Sequence, residues 1–186
     1  DSSKILRFGD ITVEFYRVTH SIPESLGIAI TTKDGVIVYA PDYNFDQNVD
    51  NIYKTEFTKL AEIAGKNVLA LLTESLGAER AGYTHSSTAL DHALEHAFSN
   101  AEGRIIVSAF STDLLRIQKI IDVALDHNRK IAIIGRKTQR IIDIAVTLGY
   151  LKIPQESLVG LKFIDENGGG RACGCANAKD QRSQNS

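Results

Sequence analysis

The sequence predicts an α/β protein in two parts: a hairpin-built β region, then a region in which strands and helices alternate. Three observations carry that expectation. Between residues 5 and 39, alternating side chains flank Gly-Asp and Asp-Gly dipeptides, the pattern of two β-hairpins. From about residue 68, short apolar runs alternate with segments whose apolar residues recur at helical spacing, which implies right-handed crossovers and a parallel sheet. Residues 167–186 carry neither pattern.

In chain order, Ile5-Leu6-Arg7-Phe8, the Gly9-Asp10 turn and residues 12–17 form the first predicted hairpin. Residues 27–32 and 36–39 flank Lys33-Asp34-Gly35 as the second, with Asp-Gly supplying the positive-φ turn. The acidic loop through Asp42, Asp46 and Asp50 reads first as a solvated, turn-rich connection and second as a source of metal ligands. Residues 52–64 carry Ile52, Phe57, Leu60, Ala61 and Ile63 at near-helical spacing before a Gly65 stop. Residues 68–72 form an apolar run of the kind a buried strand has. The change of pattern sets the domain boundary near residue 72, giving parts 1–72 and 73–166.

The second part opens with a loop from Glu74 to Tyr83, and Thr84 or Ser86 is placed to cap a helix to about Ser99 with Leu90, Ala93, Leu94, Ala97 and Phe98 inward. A strand over 104–110 follows. Ser111 or Thr112 is placed to cap a helix whose inner face holds Leu114, Ile117, Ile120, Ile121, Ala124 and Leu125. Residues 130–134 make another strand, Gly135 turns it into a helix through Leu148, and 158–164 reads as a last strand. The stretch 167–186, with its Gly168-Gly169-Gly170 run, is expected to be a disordered tail, or a linker with added or frame-shifted sequence, outside the fold. Its Cys173-x-Cys175 supplies too few ligands for zinc.

Composition narrows the function classes. Length (186 residues), 43% hydrophobic and 24% charged residues suit a globular protein with a core, and no stretch approaches a membrane span. A net charge of −2 gives no global basic field, so any nucleic-acid contact has to come from local patches. No signal-peptide pattern opens the chain, so the cytoplasm is the expected compartment, and the absence of Met suits a fragment.

Two loops carry the candidate chemistry. Residues 18–25 end a strand with the His20 imidazole in a Ser/Pro loop, and residues 39–46 end another with the Asp42 carboxylate. Hairpin pairing brings such strand ends together, and an imidazole with a carboxylate suits a zinc- or manganese-type ion. One His and one Asp are half a site. In the second part, strand ends carry Glu74, Ser111-Thr112-Asp113 and Gly135-Arg136-Lys137-Thr138, where ligands of parallel sheets bind. Arg136 and Lys137 at a helix start suit phosphate, against the plainer reading of capping and surface charge. His92-Ala93-Leu94-Glu95-His96 fits H-x-x-E-H, but both histidines lie opposite the predicted core face, and a surface pair is the plainer reading. His127 reads as a histidine favoured by a helix C-terminus, and His85 as a loop residue.

Thr19-His20-Ser21-Ile22-Pro23-Glu24-Ser25-Leu26-Gly27 followed by Ile37-Val38-Tyr39-Ala40-Pro41-Asp42-Tyr43-Asn44-Phe45-Asp46-Gln47 resembles the metallo-β-lactamase part of ribonuclease J. Leu71-Leu72-Thr73-Glu74-Ser75 with 78–84 is similar to the start of that family's β-CASP domain, and the similarity runs colinearly over roughly 4–160. The resemblance implies a partial metallo-β-lactamase β-sheet region followed by a β-CASP-like parallel-sheet domain. It implies that His20 is a metal ligand, that Asp42 bridges two divalent ions (zinc or manganese), and that Glu74 sits near the cleft. It implies RNA as substrate, 5′-to-3′ exonuclease and endonuclease activity in RNA (including rRNA) processing and decay, and homo-oligomers or hetero-oligomers with a paralogue.

The family's H-x-H-x-D-H motif and a later ligand His are not in this chain, so a fragment of a larger nuclease, inactive alone, is expected. Pro41 stands where the family has Gly, Asn44 where it has Lys, and Thr112-Asp113-Leu114-Leu115 where it has Ser-Asn-Ile-His. These departures resemble those of a weakly active paralogue that pairs with an active partner. The alternative is a catalytically silent RNA-binding or partner-binding subunit.

Overall fold

A computed structural model describes residues 2–82, 87–166 and 172–177. The chain divides into two compact units, Asp1–Ser87 and Thr88–Ser186. The described part of the loop after residue 73, expected to open the second part, thus falls in the first unit.

In the first unit β1 (Ile5–Phe8) and β2 (Ile11–Arg17) pair antiparallel with Phe8 opposite Ile11, leaving Gly9-Asp10 as the turn, with Gly9 at φ +60°. β3 (Leu26–Thr31) pairs antiparallel with β2 and with β4 (Val36–Ala40). Between β3 and β4 the Thr32 N–H donates to the Gly35 carbonyl at 2.8 Å. Gly35 has φ +147°, and a Cβ there would lie 2.6 Å from the Asn67 carbonyl, so the turn needs glycine for space and for conformation. β5 (Val68–Thr73) runs parallel to β4 and completes a mixed sheet in the order β1-β2-β3-β4-β5.

The core of this unit is Tyr16, Val18, Ala29, Val36 and Val38 from the sheet, with Ile63 from α1 (Phe57–Ala64). Tyr16 lies over Gly27, where a Cβ would come within 2.2 Å of its ring, and its hydroxyl donates to the Tyr39 carbonyl at 3.0 Å. Two expectations are corrected here. The helix expected over 52–64 starts only at Phe57, after a 3-10 turn at Asn51–Tyr53, because Thr55 and Glu56 are drawn into bonds with Thr19 and Arg17. β5, expected to be buried, exposes Val68, Leu69, Leu71 and Leu72, because among the described residues the first unit's buried cluster takes no side chain from it.

The second unit runs α2 (Ser87–Asn100), β6 (Ile105–Ala109), α3 (Leu114–Asp126), β7 (Lys130–Ile134), α4 (Arg136–Thr147), α5 (Leu161–Glu166) and β8 (Ala172–Asn177). Phe98 of α2, Leu114, Ile117, Ile120, Ile121 and Ala124 of α3, Ile131 and Ile133 of β7, Ile142 and Ala145 of α4, and Leu151 form its core. The helical spacing of those residues is what places them on one face of each helix. Arg129 is buried beside them. Its guanidinium donates to the Gly103 carbonyl at 2.7 Å and to the Ala101 carbonyl, and lies 5.8 Å from the Phe98 ring centroid.

Three further expectations change. Asp113, rather than Ser111 or Thr112, caps α3, its carboxylate accepting from the Arg116 N–H at 3.1 Å. The strand expected over 158–164 is reduced to a bridge between Leu158 and Ile131, and α5 begins at Leu161. Within 167–186, expected to lie outside the fold, residues 172–177 form β8, parallel to and between β6 and β7. A run of Ala, Cys and Gly has no side-chain pattern to read as a strand, whereas pairing on both sides is made by its backbone. The other residues of that stretch lie outside those described, as do Thr84, His85 and Ser86.

Candidate functional site

Backbone pairing gathers the first unit's candidate residues at one end of the sheet. Thr19, just before His20, forms an antiparallel bridge with Asn44, whose N–H donates to the Thr19 carbonyl at 2.8 Å. The His20 loop and the Asp42 loop therefore run side by side. On the other side, β4 and β5 pair Ala40 with Thr73, so Asp42 and Glu74 follow adjacent strand ends. One Glu74 oxygen accepts from the Tyr43 N–H at 3.2 Å, and the Thr73 hydroxyl donates to the Tyr43 hydroxyl at 3.3 Å.

A second layer fixes the His20 loop. Thr19 and Thr55 are both buried and bond reciprocally: the Thr19 N–H donates to Thr55 Oγ1 at 2.9 Å, the Thr55 N–H donates to Thr19 Oγ1 at 3.1 Å, and the two hydroxyls lie 2.9 Å apart. Next to them the Glu56 carboxylate accepts from the Arg17 N–H at 2.8 Å and from the Arg17 guanidinium at 3.2 Å, and the Glu56 N–H donates to the Arg17 carbonyl at 3.1 Å. Burial alone would raise the Glu56 pKa. The Arg17 N–H, the Ser2 hydroxyl and the charges of Arg17 and Lys59 outweigh it and hold the carboxyl below its ordinary value. Burial raises the Tyr16 phenol, with Tyr43 adding to the effect. Sequence reading missed these braces, because partners 36 or more residues apart leave no spacing signal.

His20 is half-buried, with Nε2 3.4 Å from the Ser21 hydroxyl, Glu74 is half-buried, and Asp42 is exposed. Among the described residues no group of three or more His, Cys, Asp or Glu side chains is placed to hold a metal ion. One imidazole, one exposed carboxylate and a second carboxylate already bonded to an N–H do not make a metal cage by themselves. In the acidic loop, Asn44 Oδ1 accepts from the Asp46 N–H and Asp46 Oδ1 from the Asn48 N–H, each at 2.9 Å, which is turn chemistry. The same loop carries an aromatic series not foreseen from the sequence. Tyr43 and Phe45 have centroids 5.3 Å apart at 59°, and Phe45 and Phe57 lie 5.8 Å apart at 33°.

In the second unit Ser111 is buried ahead of α3, while Arg136 and Lys137 are exposed in the first turn of α4, after Gly135 at φ +99°. His92 and His96 are exposed on α2. His127 caps the C-terminus of α3 and lies 2.9 Å from the Glu95 carboxylate.

Residues 102–171 match the profile of the ribonuclease J β-CASP domain. The chain is 34% identical over 165 residues to a protein named Ribonuclease J 2 from Staphylococcus aureus (strain NCTC 8325), covering 89% of this chain and 30% of the relative. It is 36% identical over 161 residues to a protein of the same name from Staphylococcus epidermidis, covering 87% and 29%. The chain thus spans about 30% of the length of these relatives. A protein of unknown function from Enterococcus faecalis V583 superposes with a TM-score of 0.66 at 14% identity, over 96% of this chain and 44% of that one, a likeness of fold. Among the described residues no helix is long and apolar enough to cross a membrane.

Proposed function

We propose, from the premise that this chain belongs to the ribonuclease J family, that it carries part of the active site of a metal-dependent ribonuclease and is inactive alone. The first unit is then a partial metallo-β-lactamase sheet and the second a partial β-CASP domain. His20 and Asp42 are the metal-ligating residues of this part, with Glu74 beside them, and the remaining ligands come from residues outside this chain. Bound zinc or manganese ions would supply an activated water and stabilise charge on the phosphodiester.

The chain's own residues position that site. The Thr19–Thr55 bonds hold the His20 loop, and the Glu74 carboxylate holds the Asp42 loop through the Tyr43 N–H. Arg136 and Lys137, exposed in the first turn of α4, contact the RNA backbone, where phosphate contacts supply most of the affinity, whereas Ser111, nominated with them, is buried and is not carried into this role. The reaction is exonucleolytic 5′-to-3′ and endonucleolytic cleavage of RNA in the cytoplasm, by a homo-oligomer or a hetero-oligomer with a paralogue. The gathering of His20, Asp42 and Glu74 at one sheet end carries this reading.

A second reading, a silent RNA-binding or partner-binding subunit, draws on Pro41, which withholds a backbone N–H beside Asp42. Two measurements decide. The 186-residue chain with 5′-monophosphorylated RNA and added manganese or zinc is expected to cleave no more than its Asp42→Ala variant. Cleavage lost in that variant would overturn the incomplete-site proposal. The chain exchanged for the matching segment of an active relative is expected to give a nuclease that Asp42→Ala inactivates. An inactive exchange that still binds RNA favours the silent subunit.

A further inference from the structure

We infer that the first turn of α4 is a phosphate cradle, in which the Thr138 hydroxyl and the N–H groups of Arg136, Lys137 and Thr138 hold a phosphate of the RNA strand. The RNA occupant rests on the ribonuclease reading above. The N-cap of this 12-residue helix is Gly135, which has no side chain to cap with, and the first turn holds no acidic residue. The first intrahelical bond runs from the Gln139 N–H to the Gly135 carbonyl at 2.9 Å, so the N–H groups of the three residues before Gln139 stay open. The turn follows the carboxyl end of β7 in the parallel β6-β8-β7 sheet, where such sheets take their ligands.

Thr138 points to the ligand independently. It is 3% exposed, and its hydroxyl oxygen has no hydrogen-bond partner. A helical threonine can satisfy its hydroxyl on a carbonyl one turn back, and this one does not. Thr138 is the third residue of α4, and helical side chains lean toward the helix N-terminus, so the hydroxyl is aimed back into the open turn. An anion seated on the N–H groups of that turn supplies the acceptor it lacks. Arg136, Lys137 and Arg140 are exposed at the same end, and among the described residues none of them is in an ion pair. Asp143, the next acid along α4, accepts from Gln139 at 2.8 Å instead. Cations beside the positive end of a helix are unfavourable by themselves, and a bound phosphate offsets each of these repulsions.

The test is titration of the full chain, without metal, with inorganic phosphate and then with RNAs about ten nucleotides long, one 5′-monophosphorylated and one with a 5′-hydroxyl. Phosphate is expected to shift the amide NMR signals of Arg136, Lys137 and Thr138 to saturation. Shifts that do not saturate, or that spread over lysines elsewhere, overturn the cradle. Thr138→Val is expected to weaken phosphate and RNA binding about tenfold, the loss of one hydrogen bond to a charged group, and Thr138→Ser to keep both. Without phosphate, Thr138→Val should keep or raise the thermal midpoint, since it removes a buried hydroxyl that has no partner. A lowered midpoint with full phosphate affinity would make the hydroxyl a structural group and overturn the inference. Inorganic phosphate that displaces both RNAs puts an internal phosphate in the cradle, and displacement of the monophosphorylated RNA alone puts the terminal one there; either supports it. RNA binding that Thr138→Val leaves unchanged overturns the cradle and spares the ribonuclease reading. Saturable phosphate binding by a chain that binds neither RNA overturns that reading and the RNA occupant with it, so the two failures are distinguishable.

Discussion

In the first unit a buried cluster of six side chains, Tyr16, Val18, Ala29, Val36, Val38 and Ile63, is supplemented by polar bonds between distant segments. Thr19 with Thr55, Arg17 with Glu56, and Tyr16 with the Tyr39 carbonyl tie strands and loops together. In the second unit eleven buried side chains form the cluster, nine of them Leu, Ile or Phe, drawn mostly from the inner faces of three helices and from β7. The first unit thus gets much of its definition from specific pairs and the second from apolar volume. The difference follows what each holds: the first positions loops that bear His20 and Asp42, and loops need directional bonds to stay in one place.

The largest effect should come from the apolar side of that comparison. Ile121 is fully buried in α3, and Ile121→Ala is expected to destabilise the second unit by about 2–5 kcal/mol through lost burial and an incompletely filled cavity. Hydrogen exchange should speed up in α3, β6 and β7 and stay unchanged in β2 and β3. Equal acceleration in both units would break the comparison, since it would make them one cooperative body.

A smaller effect is expected from Thr19→Val, which keeps shape and removes the hydroxyl shared with Thr55. Stranding the buried Thr55 groups should cost about 1–3 kcal/mol, read from the thermal midpoint and from exchange at the Val18 N–H, which bonds the Ser25 carbonyl at 2.9 Å. Thr19→Val with Thr55→Val should cost less than the sum of the single changes. Strict additivity would show that the pair does not act as a unit.

The smallest effect concerns Glu56. Its folded pKa lies below the unfolded one, so its contribution is fully present above the unfolded value and is lost as pH falls through the folded value. The stability difference between the native chain and Glu56→Gln should therefore shrink on acidification. A gap that widens at low pH would mean the carboxyl stabilises the fold in its protonated form.

Much of the second unit was legible because helical periodicity is a local signal: Ile117, Ile120, Ile121 and Ala124 announce the buried face of α3. The hairpin turns were legible for the same reason, since Gly9 and Gly35 sit where positive φ is required. His20, Asp42 and Glu74 could be nominated from their places at predicted strand ends, and backbone pairing sets the segments that bear them side by side, although among the described residues no three such side chains are placed to hold a metal ion. Which bonds gather them could not be read, because the Thr19–Asn44 bridge and the Tyr43–Glu74 bond depend on register between segments far apart in sequence. The apolar run of β5 shows the opposite failure. Periodicity cannot tell whether an apolar strand has its faces covered, and among the described residues the first unit's buried cluster takes no side chain from β5. β8 shows a third, since its strand is made by backbone pairing on both sides and its small side chains leave no pattern.

The sequence by itself determined which residues are apolar, where the chain must turn, and which imidazole and carboxylates are available. The tertiary structure alone decided that Thr55 and Glu56 leave the helix to brace Thr19 and Arg17, and that Phe45 stands exposed beside Asp42. Local patterns depend on neighbours in the chain, whereas polar braces and exposed rings depend on which distant segments meet, and that is fixed only when the sheet closes its register.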